Sequence, residues 1–494
     1  KAGIKPPPRP LKVMLIVPPS PSAVVSVFGT GGPPLSLAYL ASALEEEGHE
    51  VRIVDSIALG YGLNDLAREL KAFDPDIVGL TATTPSIYKA YEVARLAKEL
   101  LPNCTVVLGG PHASFMSVEV LEECPHVDVV VRGEGELTFC DLVNRLARGL
   151  GPGGVRGITY REGGVVKWEE PRPLIKDIDV IPWPAYHELP MDKYQFEGLR
   201  FGAMLTSRGC PYKCIFCASS KLMGKVWRGR KAEDVVEEAR FLMDKFGIRE
   251  VEFLDDTFTL NMKRARQIAD LMVKEGLDLS WSCSSRANTM NEELARSLRR
   301  AGCHSIYLGV ESAWQKTLNF LKKGITVRQV VDAFKAIKKA DLNVVATFIL
   351  GIPCETGEMM LNTIRFAKKM KPTLAQFTIF TPYPGTEAYE QAVRENALLT
   401  HDWSKYDTLT PVMKHPYLSP GEIVRLLQKA YISFYASLSF VANALKRKLV
   451  LLLIRSLKRV SLSLRDYVAN SIRRVIRPRR VPTPPGTFLS SPMP

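Results

Sequence analysis

Arg208-Gly209-Cys210-Pro211-Tyr212-Lys213-Cys214-Ile215-Phe216-Cys217 sets three cysteines at the spacing C-x3-C-x2-C. An apolar run from Phe201 to Leu205 precedes it and has the character of a strand. Cysteine thiolates are the usual protein ligands of iron–sulfur clusters, and a full set is four. Three ligands, Cys210, Cys214 and Cys217, leave one iron of a [4Fe–4S] cluster open to a substrate or cofactor. A structural zinc is the alternative. It takes a fourth Cys or His in a closed tetrahedron, and the nearest histidine downstream is the distant His304.

This spacing, with the aromatic Phe216 just before the third cysteine, resembles the signature of the radical S-adenosylmethionine (SAM) enzymes. The resemblance implies that the open iron chelates the amino and carboxylate groups of SAM. It also implies that a cluster electron cleaves the sulfonium to give a 5′-deoxyadenosyl radical. The longer run from Thr206 to Cys217 is most similar to the branch that carries a cobalamin-binding domain ahead of the barrel.

At 494 residues the chain is too long for one ordinary core, so two or three domains are expected. An apolar fraction of 46% with 24% charged residues is globular. Of nine cysteines only three cluster, which is no secreted disulfide framework. A thiolate-held cluster points to a reducing cytosol, and a cytoplasmic protein is expected. Lys1 to Pro10 is a flexible Pro- and Lys-rich lead with no apolar core of a signal peptide. The net charge of +14 is uneven: between Val441 and Arg480, twelve Lys/Arg face one acid, Asp466.

Residues 11–150 read as alternating strands and helices, the pattern of a parallel sheet covered on both faces. Strands are expected at Lys12–Val17, Glu50–Val54, Asp76–Thr81, Thr105–Leu108 and Val127–Val131, and a helix at Leu35–Glu47. Ligands of such sheets bind beyond the carboxyl ends of the strands. That selects the loops Pro18–Pro34, Thr81–Pro85, Gly109–Ser114 and Arg132–Glu136. Glycine lets backbone approach a large ligand closely, and Thr83 and Thr84 offer hydroxyls. Ordinary turns of a flavodoxin-like domain would also read this way. The runs from Pro33 to Leu40, Gly109 to His112 and Arg132 to Glu136 resemble the cobalamin-binding domain of the same family. The resemblance implies cobalamin contacts from Pro34, Leu35, Thr83, Thr84, Gly109, Gly110, Pro111, His112, Gly133, Glu134, Gly135 and Glu136. The D-x-H-x-x-G motif that supplies a lower cobalt ligand in many cobalamin proteins is absent. No histidine ligand is therefore expected on the lower face, His112 included.

Residues 151–200 are expected to be a hairpin (Ile158–Arg161 with Val165–Trp168) and a linker in which Pro182-Trp183-Pro184-Ala185 packs between domains. From 201 to 386 the alternation resumes with six strands, suited to a partial barrel with right-handed crossovers. Strands are placed at Phe201–Ser207, Glu250–Leu254, Leu279–Ser284, Ser305–Val310, Val344–Leu350 and Ala375–Phe380. Chemistry in β/α barrels sits at the carboxyl ends of the strands, where the cysteine loop falls. Asp255, Asp256, Ser284, Arg286, Glu311 and Ser312 stand at the other ends. Together with Phe216 they are the expected SAM contacts. Arg286 suits a carboxylate and Glu311 an ammonium or hydroxyls. Asp256 also reads as a helix N-cap. Cys354 at the expected barrel mouth is a weak catalytic candidate, since a reactive thiol needs a lowered pKa.

Residues 387–445 are expected to form a helical cap on the barrel. In 446–494, Leu453, Leu457, Val460, Leu464, Val468, Ile472 and Ile476 recur at spacings of three and four, with basic residues opposite. That is the pattern of a basic amphipathic helix, suited to an anionic membrane surface at the inner face or to packing on the protein body. A spanning helix is not expected, and RNA contact lacks an aromatic platform.

The expectation is an α/β protein. A flavodoxin/Rossmann-like cobalamin domain leads into a partial (β/α)6 TIM-like radical SAM barrel with a helical extension. The resemblance implies a [4Fe–4S] cluster, SAM and cobalamin as cofactors, and methyl transfer to an unactivated carbon of a small-molecule or lipid substrate. Ferredoxin or flavodoxin would donate electrons, and no DNA is expected. Ring formation, C–C coupling or oxidation without methyl transfer is the rival within the branch. A non-catalytic cobalamin scaffold and a tRNA-modifying enzyme are further alternatives.

Overall fold

The computed structural model describes residues 9–20, 32–196, 198–437 and 440. Residues 21–31 of the expected loop Pro18–Pro34, most of the expected flexible lead and the expected amphipathic tail lie outside them. The chain divides into two compact units, Lys1–Ala430 and Tyr431–Pro494. The first unit contains two seven-stranded sheets.

The first sheet is built on β1 (Lys12–Val17), whose four central residues are buried on both faces. It pairs in parallel with β2 (Glu50–Asp55) on one side and β3 (Ile77–Thr81) on the other. β4 (Thr105–Gly109) and β5 (Val129–Val131) continue in parallel. The order 2-1-3-4-5 reverses between β1 and β3, and such a switch point opens a crevice beyond the strand ends.

The hairpin departs from expectation. β6 (Ile158–Glu162) pairs antiparallel with β5, and β7 (Val165–Trp168) pairs antiparallel with β6. The hairpin therefore belongs to the first sheet, not to a linker, and the front domain's sheet runs to Trp168. β5 is three residues long, and an open edge leaves backbone groups unpaired. Residues 182–194 do bridge. Ala185 N–H donates to Ala38 O (2.9 Å), Trp183 Nε1 to Asp234 Oδ1 (2.9 Å), and Tyr194 OH to Asp55 Oδ2 (2.8 Å).

The second sheet starts at an antiparallel edge, β8 (Gln195–Phe196), followed by β9 (Leu199–Met204). A short ribbon, β10 (Ser207–Arg208) with β11 (Arg228–Gly229), stands apart from it. β12 (Glu250–Phe253), β13 (Ser280–Ser285), β14 (Cys303–Glu311), β15 (Asn343–Leu350) and β16 (Leu374–Ile379) then follow β9 in sequential parallel order. There is no switch point, so the six parallel strands, joined by five crossovers, form one open sheet of the expected partial-barrel type.

The segment after β16 does more than cap the barrel. Trp403, Tyr406 and Val412 are buried in one core cluster with Ile87, Ala90, Met116 and Val120 of the first domain. Trp403 N–H donates to Tyr88 OH (3.3 Å) and its Nε1 to Glu123 Oε1 (3.1 Å). A strap from the barrel's far end thus closes the chain back onto its first domain. Among the described residues no helix is long and apolar enough to cross a membrane.

Candidate active site

The cysteine loop leaves the end of β9 and is pinched at its base by β10 and β11, with Arg208 opposite Arg228. Gly209 has φ +90°, and a Cβ there would stand 2.3 Å from Val226 O, so only glycine passes. Cys210 N–H donates to Gly224 O (3.0 Å), Cys217 N–H to Cys214 O (3.2 Å) and Ile215 N–H to Leu321 O (3.1 Å). Ala388 N–H in turn donates to Ile215 O (2.9 Å), which fixes the loop's outer side. All three cysteines are free of disulfide bonds and half-buried. Burial pushes the Cys210 and Cys217 thiols up from their ordinary range, so cluster assembly must displace their protons.

The donor set fits a cluster. The three sulfurs are not gathered within 4.8 Å of one another, as ligands of one tetrahedral metal ion would be. Arg286 flanks them. Its Cζ lies 3.4 Å from the centre of the Tyr212 ring, and its Nη1 lies 3.7 Å from Cys214 Sγ.

Glu311 ends β14 with φ +67°, at a register shift against β15. Its Oε1 accepts from the buried Lys323 Nζ at 2.6 Å. A Cβ on Gly309 would lie 2.6 Å from both atoms of that pair, which accounts for the glycine two residues earlier. Phe216 packs beside the loop, with Lys323 Nζ 5.8 Å from its ring centre.

Other residues at these strand ends already have internal partners. Asp255 accepts from Thr206 N–H (2.7 Å), Thr206 Oγ1 (2.6 Å) and Ser207 Oγ (2.5 Å), and burial raises its pKa. It braces the exit of β9, and its carboxylate is not free for SAM. Ser284 Oγ donates to Asp255 O (2.5 Å) and Ser312 Oγ to Glu355 Oε1 (2.6 Å). Burial pushes Glu355 up to about 7. Asp256 accepts from Ser219 Oγ (2.7 Å) rather than capping a helix; the cap there is Asn261. Cys354 is raised by burial, against the requirement for a reactive thiol.

In the front domain, Thr83, Pro111 and Gly133 are exposed at the ends of β3, β4 and β5. Gly133 has φ +72° with nothing within 4 Å of its Cβ position. A rim of backbone open to a broad ligand fits a corrinoid. Pro34 and Leu35 open the helix Leu35–Glu46 beside it, where Leu35 is buried. Gly109 meets only ordinary contacts, whereas Gly110 is glycine for an internal reason. At φ +96° its Cβ would lie 2.7 Å from Ala82 O, so chain packing, not a ligand, demands it. Gly135 lies against Leu40.

Four expected cobalamin contacts, Thr84, His112, Glu134 and Glu136, have partners within the chain, although His112 Nε2 and Glu136 Oε2 are buried without a hydrogen-bond partner. His112 is buried with Nδ1 3.1 Å from Thr84 Oγ1, edge-on to Trp403, and burial lowers it to about 4. Glu134 accepts from Arg208 Nη1 (3.2 Å), Arg228 Nη1 (2.9 Å) and Ile175 N–H (2.8 Å). Glu136 accepts from Arg208 Nη2 at 2.6 Å. Buried polar groups take partners within the chain when they can.

Two family models match, the B12 binding domain over residues 21–143 and the Radical SAM superfamily over residues 204–367. An uncharacterized methyltransferase of Pyrococcus horikoshii is 52% identical over 86% of this chain and 92% of its own length. The chain belongs to the cobalamin-binding radical SAM enzymes. The anaerobic magnesium-protoporphyrin IX monomethyl ester cyclase of Cereibacter sphaeroides is 34% identical over 82% of this chain and 67% of its own. The structure of TsrM from Kitasatospora setae, a radical SAM methyltransferase with cobalamin and [4Fe–4S] cluster bound, matches with TM-score 0.69. That match covers 87% of this chain and 89% of TsrM at 18% identity, and it shows the shared fold.

As a radical SAM enzyme of this branch, the protein takes a [4Fe–4S] cluster, SAM and cobalamin as its cofactors. Sequence reasoning missed Lys323 and the strap residue Trp403. Lys322 and Lys323 are adjacent, and no local signal says that one pairs with exposed Glu387 and the other with buried Glu311.

Proposed function

We propose that the protein moves a methyl group onto an unactivated carbon of a small-molecule or lipid substrate. The observation that carries this is the joining of the two cofactor sites. Arg208, two residues before Cys210, is bonded to Glu134 and Glu136, which cap and open the helix Gly135–Ala147 after β5. When bound, the cluster and SAM supply the oxidant for a C–H bond, and the corrinoid supplies the methyl group. Cys210, Cys214 and Cys217 would hold the cluster. Glu311 would receive the ammonium of SAM beside Lys323, and Arg286, whose Nη2 is held by Lys323 O, would meet the carboxylate of SAM with its remaining donors. Ile215, Ile349, Ile352 and Phe380, buried together beside the loop, exclude water from that side. Thr83, Pro111 and Gly133 would border the corrinoid. A ferredoxin or flavodoxin would reduce the cluster.

The test is anaerobic reconstitution followed by incubation with methyl-deuterated SAM and a host lipid extract. Label in a product, lost in Cys214→Ala, supports methyl transfer. The similarity to a cyclase favours a second reading, ring formation without methyl transfer. SAM cleavage with a changed substrate but no label in it would establish that instead.

A further inference from the structure

Both strands of the ribbon that pinches the cysteine loop carry an arginine, and Arg208 and Arg228 stand opposite each other. Two like charges directly across a ribbon repel. Here they are held together by a carboxylate from another domain: Glu134 accepts from Arg208 at 3.2 Å and from Arg228 at 2.9 and 3.0 Å. Glu136 takes the second arm of Arg208. The Tyr39 ring, from the helix that follows the first front loop, lies 5.2 Å from the Arg208 guanidinium. Arg228 also donates to Ile175 O (2.5 Å) and Met223 O (2.7 Å). The four charged side chains are each at most 9% exposed.

Two guanidinium and two carboxylate groups sum to no net charge, and such buried sets contribute little net stability compared with apolar packing. What they do is fix geometry, because a bidentate guanidinium accepts few arrangements. Here the fixed geometry spans the two cofactor sites. Glu134 follows Gly133 on the corrinoid rim, and Arg208 is separated from Cys210 only by Gly209. Gly209 is held against Val226 O, so the chain between clasp and cluster has little freedom. We propose that Glu134 and Glu136 are positioning residues that set the separation of cluster and corrinoid by clasping the neck of the cysteine loop. A carboxylate on this front-domain loop acts on the second domain and not on cobalamin itself. The inference rests on the cofactor reading given above.

The experiment uses the full chain, reconstituted with cluster and cob(II)alamin, in the wild type, Glu134→Gln and Glu136→Gln. The readout is the magnetic interaction between the reduced cluster and cob(II)alamin in EPR spectra, alongside cobalamin affinity and thermal midpoint. The expected result is a spread of cluster–cobalt separations about twice as wide in each variant, since a displacement near 1 Å already disturbs an aligned site. A wild-type interaction preserved in both variants, whatever happens to the midpoint, makes the clasp merely structural and overturns the proposal. Loss of cobalamin binding in the variants with an unchanged interaction in the residual bound fraction overturns it too, in favour of direct contact. If Glu134→Gln fails to fold, Glu136→Gln, which leaves every Glu134 bond in place, decides alone. Wild-type protein that takes up the cluster but no cobalamin sinks the cofactor reading itself.

Discussion

Glu355 shows what one buried side chain can impose on the whole protein. Its Oε1 accepts from Ser312 Oγ, its Oε2 has no hydrogen-bond partner, and burial raises its pKa to about 7 from an ordinary 4.5. The folded state therefore keeps a proton that the unfolded chain loses above about pH 4.5. Stability attributable to this group should fall as pH rises from about 4.5 to about 7 and level off beyond, by at most roughly 3 kcal/mol. Glu355→Gln keeps the shape and the Ser312 bond but cannot ionise. Denaturant midpoints of the two proteins should converge near pH 5 and separate by pH 8, the variant being the more stable. Parallel curves across that range would show that Glu355 does not titrate there. A second expectation concerns Lys323. Removing one member of a buried pair strands the other charge, so Lys323→Met should cost about 3–5 kcal/mol in denaturant unfolding. SAM should then bind more weakly, because Glu311 in its φ +67° conformation loses its anchor. A loss below 1 kcal/mol would mean that Glu311 does not depend on Lys323 for its place in the fold. Glu311 was legible from sequence because it ends an apolar strand two residues after a glycine. Lys323 was not, since its partner is decided by a fold that brings the two together.

Elements were read more easily than their partners. The apolar runs of β1, β3 and β4 are buried on both faces, so their sequence alone announces parallel strands under helices. The hairpin Ile158–Trp168 was equally visible as a hairpin, yet its alternation carries no record of which edge it joins. The strap was the hardest to read. Asp402-Trp403 through Tyr406-Asp407 has no periodicity, and its role depends on a hole in a domain some 300 residues earlier. Trp403 is 3% exposed against the edge of His112. Trp403→Ala should therefore cost about 3–5 kcal/mol, as for other buried aromatics. Amide exchange in helix Ile87–Leu100 should speed up while helix Val327–Lys339 in the barrel keeps its protection. With the overlying ring gone, water reaches His112 and its pKa should climb from about 4 toward the ordinary 6.5, followed by NMR titration. An unmoved His112 would mean that the other residues around it, not the strap, keep it dry.

At the scale of the whole molecule, the domain order could be read because two different β/α rhythms flank the cysteine loop. The joining of the domains could not, since it is made by side-chain pairs distant in sequence: the buried Arg208 and Arg228 with Glu134 and Tyr186 with Glu238, and the half-buried Trp183 with Asp234. Charge is distributed on the same scale. Most of the net +14 falls between residues 441 and 480, outside the described residues, so the two-sheet body is close to neutral. A body of that kind has little long-range attraction for an anionic surface, whereas a polybasic segment gains about 1 kcal/mol per Lys or Arg near one. If the substrate is membrane-resident, the tail is what brings the enzyme to it. A chain ending at Leu445 should lose sedimentation with vesicles containing anionic lipid. The full chain should sediment with them at low salt and release as salt shortens the screening length. Zwitterionic vesicles should hold neither form. Equal sedimentation of the full and shortened chains would remove the membrane from the account and leave a diffusible small molecule as the substrate. The shortened enzyme's SAM cleavage, measured without vesicles, should match the full chain, because every residue assigned to the cluster and SAM lies before the tail.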